Sequence, residues 1–421
     1  MLIQMGRRAF LQRAVGLAAL TGTVPAFLQK TSLAFDGDPS RDVLPIPGLN
    51  DNRVLVVVQL AGGNDALNTV VPYQDDAYYR ARPNLAIPSA EVLRINDDLG
   101  LHPELVELRG LLDDGNLAVV QGVGYPNPDR SHFRSTEIWE TASPPETAWT
   151  DGWLGRYFDN ECSGVNSPMI GLQLGERPAQ TFAHPRPRAV TMANPAIFDW
   201  PDEGPLGLGF EQINQVEPTG LDELDYVQRT ANATLAASRR IREAIQNDPT
   251  EASYAPFAFS QSLKLVAQMI AAEVPTRVYY VSLGGFDTHA RQDRRHASLL
   301  QELSQGLAAF RNDLAARGHL DRTLVMTFSE FGRRVAENQS GGTDHGTAGS
   351  MLLMGSEIRP GLLGDRPDLS RLDDEGDPRF TVDFRSVYAA VLSDWFGADA
   401  EAILKTRFEP FPILDPARTR V

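Results

Sequence analysis

The chain of 421 residues carries 55 acidic against 39 basic side chains, a net charge of −16, and 42% of its residues are hydrophobic. Acidity on this scale argues against a nucleic-acid partner, although a local basic site can still attract an anion. The sole cysteine, Cys162, excludes an intrachain disulfide and a cysteine-ligated metal. Stability must come from a large core, in one α/β domain with insertions or in two domains.

The first predicted element is a leader. Met5-Gly6-Arg7-Arg8-Ala9-Phe10-Leu11-Gln12 precedes an apolar stretch over 14–28 that Gly16, Gly22 and Pro25 interrupt. Arg-Arg-x-Phe-Leu before such a stretch reads as a twin-arginine signal peptide over residues 1–34, with Ser32-Leu33-Ala34 as the cleavage site. The expected mature chain, 35–421, is exported to the periplasm or beyond through that machinery. It contains no second run of about 18 apolar residues that could span a membrane. Because this route carries folded proteins, the leader favours one loaded with a metal or cofactor before export.

Residues 54–60 form a continuous β-branched run, as strands buried on both faces do, and end in Ala61-Gly62-Gly63-Asn64-Asp65. A helix beginning at Pro103 carries Leu105, Leu108, Leu111 and Leu112 and stops at Gly115, and residues 117–124 supply another apolar strand. Strand, helix, strand implies a parallel sheet. Then come Pro126 to Ser135 and a helix through Trp139. A helix starting near Ser131 would hold that hydroxyl either as an ordinary N-cap or as a nucleophile at an anion-binding helix end, with Arg130 and Arg134 beside it. Asp151-Gly152-Trp153-Leu154-Gly155-Arg156 opens a turn and helix, and strands are expected at 169–174 and 189–192. Residues 193–220, rich in Pro, Gly and acids, read as a loop-rich insertion, either a lid or a surface excursion. Helices are predicted over 221–246, 259–272 and 294–317, with His296 and His319 facing solvent and His102 capping or packing its helix.

Four strand ends carry the chemistry. Besides Asn64 and Asp65, the strand over 277–283 ends in Gly284-Gly285-Phe286-Asp287-Thr288-His289. Residues 323–328 break into Ser329-Glu330-Phe331-Gly332-Arg333. A glycine-bracketed loop then presents Asp344 and His345 before a last buried strand over 350–355. Ligands of open α/β sheets sit outside the carboxyl ends of the strands, so recurrence there raises each motif above an isolated turn. Oxygen and nitrogen donors without sulfur fit Zn²⁺, Mn²⁺ or Fe better than Ca²⁺ or Mg²⁺. One ion or two could serve, neutralising charge on a transferring group. A closing helix is expected over 383–396.

Taken in order, the leader, Gly62-Gly63-Asn64-Asp65 with Leu67-Asn68, Arg130-Ser131-His132-Phe133, Asp151 to Gly155, Gly284 to His289, Ser329 to Arg333 and Gly342-Thr343-Asp344-His345-Gly346 resemble the bacterial family DUF1501. That family is similar to the alkaline phosphatase and sulfatase superfamily. The resemblance implies a mixed, largely parallel sheet sandwiched by helices, with metals at the strand ends. It further implies Asp65, Asp287, His289, Glu330, Asp344 and His345 as ligands and Ser131 as nucleophile. Phe331 departs from the pattern: it stands where that strand end supplies histidine, so one metal site lacks a ligand unless His289 or Asp344 substitutes. The Cys/Ser-x-Pro-x-Arg pattern of formylglycine sulfatases is absent around Ser131 and Cys162, which disfavours that chemistry.

Two readings follow. In the first, an exported metal-dependent hydrolase acts on a small or polymer-linked phosphate or related ester. Ser131 attacks, while Asn64 and Arg130, Arg134 or Arg333 hold the anion. In the second, an exported binding or assembly protein keeps the fold and a structural metal without a catalytic cycle.

Overall fold

A computed structural model describes residues 52–162, 169–185, 188–193, 241–243, 245–246 and 250–418. The leader over 1–34, nearly all of the 193–220 insertion and most of the 221–246 helix lie outside the described residues.

In chain order the strands are β1 (Val54–Ala61), β2 (Val70–Val71), β3 (Leu93–Arg94), β4 (Gly100–Leu101), β5 (Leu117–Gly124), β6 (Gly171–Leu174) and β7 (Ala189–Met192). They continue with β8 (Val278–Gly284), β9 (Thr323–Phe328), β10 (Arg333–Glu337), β11 (Thr343–His345), β12 (Gly349–Met354), β13 (Gly361–Leu363) and β14 (Val382–Asp383). Nine form one sheet in the order β13-β5-β12-β9-β1-β8-β6-β7, with β14 pairing on β5. Of these only β12 runs against its neighbours. The sheet is thus mixed and largely parallel, as expected.

Alternation on β1 shows why the run is continuously apolar. Val54, Val56, Val58 and Leu60 enter one core, while Leu55 and Val57 enter the other. Helices Val106–Asp113, Ala258–Ala271 and Gln292–Ala316 contribute to the first core; His132–Thr141, Trp153–Glu161 and Phe384–Ala390 contribute to the second.

Register gathers the polar segments at one edge. β9, β1 and β8 pair side by side, with Gln59 opposite Phe328 and Ala61 opposite Gly284. The loops that follow them, 62–65, 285–289 and 329–332, therefore emerge together. Because β12 is antiparallel, it begins at this edge, and Gly349 lies opposite Val123 near the end of β5. That places the residues just before β12 beside the chain leaving β5, including Arg130 to His132. One reversed strand thus brings two more segments to the site.

Two expectations are corrected. The 341–349 segment is not wholly a loop: β11 pairs with β10 as a ribbon, Arg333 opposite His345. His296 is buried at 1% exposure, because Gln292, His296, Leu299 and Leu303 lie along the inward stripe of their helix.

Candidate metal centre

His132 is the first residue of the helix His132–Thr141, which directs its ring at the sheet edge. Nδ1 lies 2.7 Å from Glu330 Oε1, and Nε2 is 3.4 Å from Asp287 Oδ1. That Nε2 is buried and makes no hydrogen bond. His345 enters from β11: its Nδ1 is 2.7 Å from the Arg130 carbonyl and its Nε2 is 3.3 Å from the same Asp287 oxygen. His289 completes the group, with Nδ1 3.0 Å from Asp344 Oδ1 and Nε2 3.1 Å from Asp287 Oδ1 and 2.9 Å from His345 Nε2. One donor atom each from His132, Asp287 and His345 lies within 4.8 Å of the others.

The back of each ring explains its front. A carbonyl only accepts, so His345 donates from Nδ1 and keeps a lone pair on Nε2. The carboxylates of Glu330 and Asp344 favour the same tautomer for His132 and His289. Rings fixed through one nitrogen and offering the other are how proteins hold histidine for a metal. Three imidazoles and a carboxylate make a nitrogen-rich set that fits Zn²⁺, or Mn²⁺ or Fe, and the orphaned His132 Nε2 is the buried atom such an ion would satisfy.

Charge in the cluster is balanced locally. Burial pushes the Asp287 carboxyl up, but the hydrogen bond and charge of Arg333, with help from His345, outweigh it and bring the value to about 2. The hydrogen bond to Glu330 raises His132, whereas burial lowers His345. Hydrogen bonds from Asn338 and His289 hold Asp344 below the usual carboxylate range.

Across residues 52–404 the chain matches the family model described as "Protein of unknown function (DUF1501)". The chain belongs to the DUF1501 family. Comparison with curated proteins gave no match. Among solved structures, the DUF1501 chain is similar to the phosphonate monoester hydrolase SpPMH from Silicibacter pomeroyi at 10% identity and a TM-score of 0.40, over 86% of this chain and 76% of that one. It is similar to the C-terminal periplasmic domain of EcEptC from Escherichia coli at 11% and 0.39, over 85% and 87%. A protein in the alkaline phosphatase superfamily from Vibrio parahaemolyticus gives 8% and 0.33, over 81% and 69%. The chemistry of the DUF1501 site rests on its own residues.

Those residues fall into two groups. Asp287, His289 and His345 converge, whereas Glu330 and Asp344 stand one step behind, each gripping an imidazole. Asp65 does not reach the DUF1501 cluster. Its buried carboxylate pairs with Arg82 at 2.6 Å, accepts from Gln292, and caps its own helix through the Leu67 and Asn68 N–H groups. Asn64 is equally committed, to Thr69 and His296. Phe331 is buried against the rings of His132 and His345, with centroids 4.9 and 4.6 Å away, and walls the cluster.

Each of the three arginines expected to hold a substrate is bound within the protein. Arg333 is 1% exposed and donates to the carbonyls of Gly62, Gly63, Phe286 and Thr343 as well as to Asp287 at 2.7 Å. Gly62 and Gly63 at φ +118° and +77° make room for this: a Cβ on Gly62 would strike the Asp287 backbone, and one on Gly63 the Phe331 ring. Arg134 clamps the carbonyls of Pro144, Pro145 and Thr147, and Arg130 binds Asp377. Ser131 occupies the N-cap position, exposed, with no capping hydrogen bond from its side chain. His132 is the residue sequence reasoning missed; it stood next to Ser131 in the quoted Arg-Ser-His-Phe motif. Among the described residues no helix is long and apolar enough to cross a membrane.

Proposed function

We propose that this protein is an exported, metal-dependent hydrolase of phosphate or related anionic esters. The observation that carries the reading is the convergence of His132 Nε2, His345 Nε2 and His289 Nε2 on Asp287 Oδ1, each ring fixed from behind. His132, Asp287 and His345 would hold the ion, with His289 beside them. A bound Zn²⁺, Mn²⁺ or Fe ion would supply Lewis-acid charge for the ester oxygens.

The chain's own residues do the rest. Ser131 offers a hydroxyl next to His132 at the start of a ten-residue helix, where unpaired N–H groups and the helix dipole favour an anion. Its Oγ attacks phosphorus and gives up its proton to solvent, the bond from phosphorus to the leaving oxygen breaks, and that oxygen takes a proton from solvent. Water then cleaves the seryl ester, releasing the oxyacid and restoring Ser131. Phe331 excludes water from beneath the imidazoles. The export assignment is supported by the leader sequence.

One observation favours the non-catalytic reading: Arg130, Arg134 and Arg333 all bind the protein itself. The deciding experiment measures metal by elemental mass spectrometry in natively exported protein, alongside His132→Ala/His345→Ala, followed by an ester screen on the loaded form. Stoichiometric Zn, Mn or Fe that the variant loses, together with turnover, is the expected result. Metal-free wild type sinks the hydrolase, and loaded protein that turns over no ester supports a binding protein with a structural ion.

A further inference from the structure

We infer that Asp377 is a positioning residue for the metal centre, acting through Arg130 on His345. The inference rests on the metal-centre reading above. From sequence the segment around Asp377 is an undistinguished Pro/Gly/Asp-rich link between β13 and β14. In the fold it closes into a tight turn, with Asp373 Oδ1 accepting from the Glu375 and Asp377 N–H groups at 3.0 and 2.8 Å. This turn buries Asp377 completely, at 0% exposure.

Asp377 Oδ2 accepts from Arg130 Nε at 2.8 Å and from Nη2 of the same guanidinium, a two-pronged grip that fixes the orientation of the arginine. Asp373 Oδ2 lies 3.3 Å from the same Nη2, and Glu375 Oε2 lies 3.3 Å from Nη1. The main-chain carbonyl of Arg130 is the acceptor for His345 Nδ1. Anchoring the side chain therefore sets where that carbonyl points, and the carbonyl decides which His345 nitrogen faces Asp287.

The same turn meets the chain around His345 at two further points. Arg334 Nε donates to the His345 carbonyl at 3.4 Å and lies 3.9 Å from Asp377 Oδ1, while Thr347 Oγ1 donates to the Pro378 carbonyl at 2.6 Å. A fully buried carboxylate is costly even when paired, and an apolar pair of the same volume would serve stability as well. What an apolar pair would not supply is a fixed carbonyl behind a ligand ring. Outer partners of this kind are typically worth about 10- to 100-fold in metal affinity.

The test compares wild type with Asp377→Asn, which keeps the volume and loses the charge. Arg130→Lys keeps the carbonyl and loses the fork, and Glu375→Gln removes only the exposed rim carboxylate. Imidazole nitrogen NMR on metal-free protein reads the His345 tautomer, and chelator competition reads Zn²⁺ affinity. The expected result is a single Nδ1–H tautomer in wild type and Glu375→Gln, and mixed tautomers in the other two, with Zn²⁺ affinity lower by about 10- to 100-fold. Wild-type tautomer and affinity in Asp377→Asn would overturn the inference, as would losses that only track the melting temperature. Should Asp377→Asn fail to fold, Arg130→Lys carries both readouts. If wild type binds no Zn²⁺, the metal-centre reading fails by itself and the tautomer comparison still decides the role of Asp377.

Discussion

Glu330 Oε1 accepts at once from the Gly62 N–H at 2.9 Å and from His132 Nδ1 at 2.7 Å, so one buried carboxylate ties the end of β1 to the first residue of a helix that follows β5. Glu330→Gln keeps the shape and an accepting oxygen but removes the negative charge, which weakens the preference for an Nδ1 donor on His132. Zn²⁺ affinity should fall by about 10- to 100-fold while the folded far-UV spectrum is retained. Chelator competition measures it, and unchanged affinity would return Glu330 to a purely structural role.

Ser131→Ala separates the cap from the nucleophile. Replacing a capping serine costs about 1 kcal/mol, but the Ser131 side chain makes no capping bond. The variant should therefore melt within about 0.5 kcal/mol of wild type, as surface substitutions do, and keep its metal. Ester turnover should vanish. Full turnover in Ser131→Ala would remove Ser131 from the mechanism.

Asp65 and Arg82 test the other half of the edge. Both side chains are 0% exposed and 2.6 Å apart. Burial pushes the Asp65 carboxyl up, yet the charge and hydrogen bond of Arg82, together with His296 and Gln292, outweigh it and hold it below its ordinary value. Arg82→Met leaves a buried, unpaired carboxylate and the Arg334 and Val335 carbonyls without their donors. A loss of about 3–5 kcal/mol is expected in urea unfolding. Asp65→Asn should cost less, because the amide still accepts from the helix N–H groups. Equal losses would show that Asp65 reaches beyond its pair with Arg82.

Much of this was legible in the sequence, for physical reasons. β1, β5 and β9 are mostly apolar runs, broken only by residues such as Gln59, Gln121 and Thr327, so burial on both faces made them readable as strands. Asp287, His289 and His345 were legible because charged glycine turns recur at several strand ends, although the similarly placed Asp65 caps a helix and pairs with Arg82 instead. Rank within the site was not. Whether Glu330 faces the candidate site or grips a ring behind it depends on the approach of His132 from a helix some 200 residues away in sequence. Arg333 and Arg334 look alike in a row, yet strand alternation buries the first and leaves the second half exposed. The β10–β11 ribbon, polar and irregular in register, offered no apolar period to read. His296 did carry a signal, its place on the inward stripe of its helix, and charge preference masked it.

Glu140 gives the stability a pH dependence that can be isolated. It is buried, with Oε1 accepting from Tyr280 at 3.0 Å and Oε2 from the Gln180 N–H at 2.6 Å. Burial raises its carboxyl from 4.5 to about 7 against the pull of those hydrogen bonds. Between those values the folded state keeps a proton that the unfolded state has released. The contribution of Glu140 is therefore complete below pH 4.5 and lost as pH rises through about 7. Buried His296 tilts the other way. Burial lowers its ring to about 3, so its contribution is present above the unfolded value of 6.5 and lost as pH falls. Subtracting Glu140→Gln from wild type removes that background. The difference in unfolding free energy should drift against wild type by roughly 3 kcal/mol from pH 4.5 to pH 7.5, the size of the shift at about 1.36 kcal/mol per unit. Urea titrations across this range measure it. A pH-independent difference would mean that Glu140 is ionised in the fold, with the Tyr280 hydroxyl and the Gln180 N–H sustaining a buried charge.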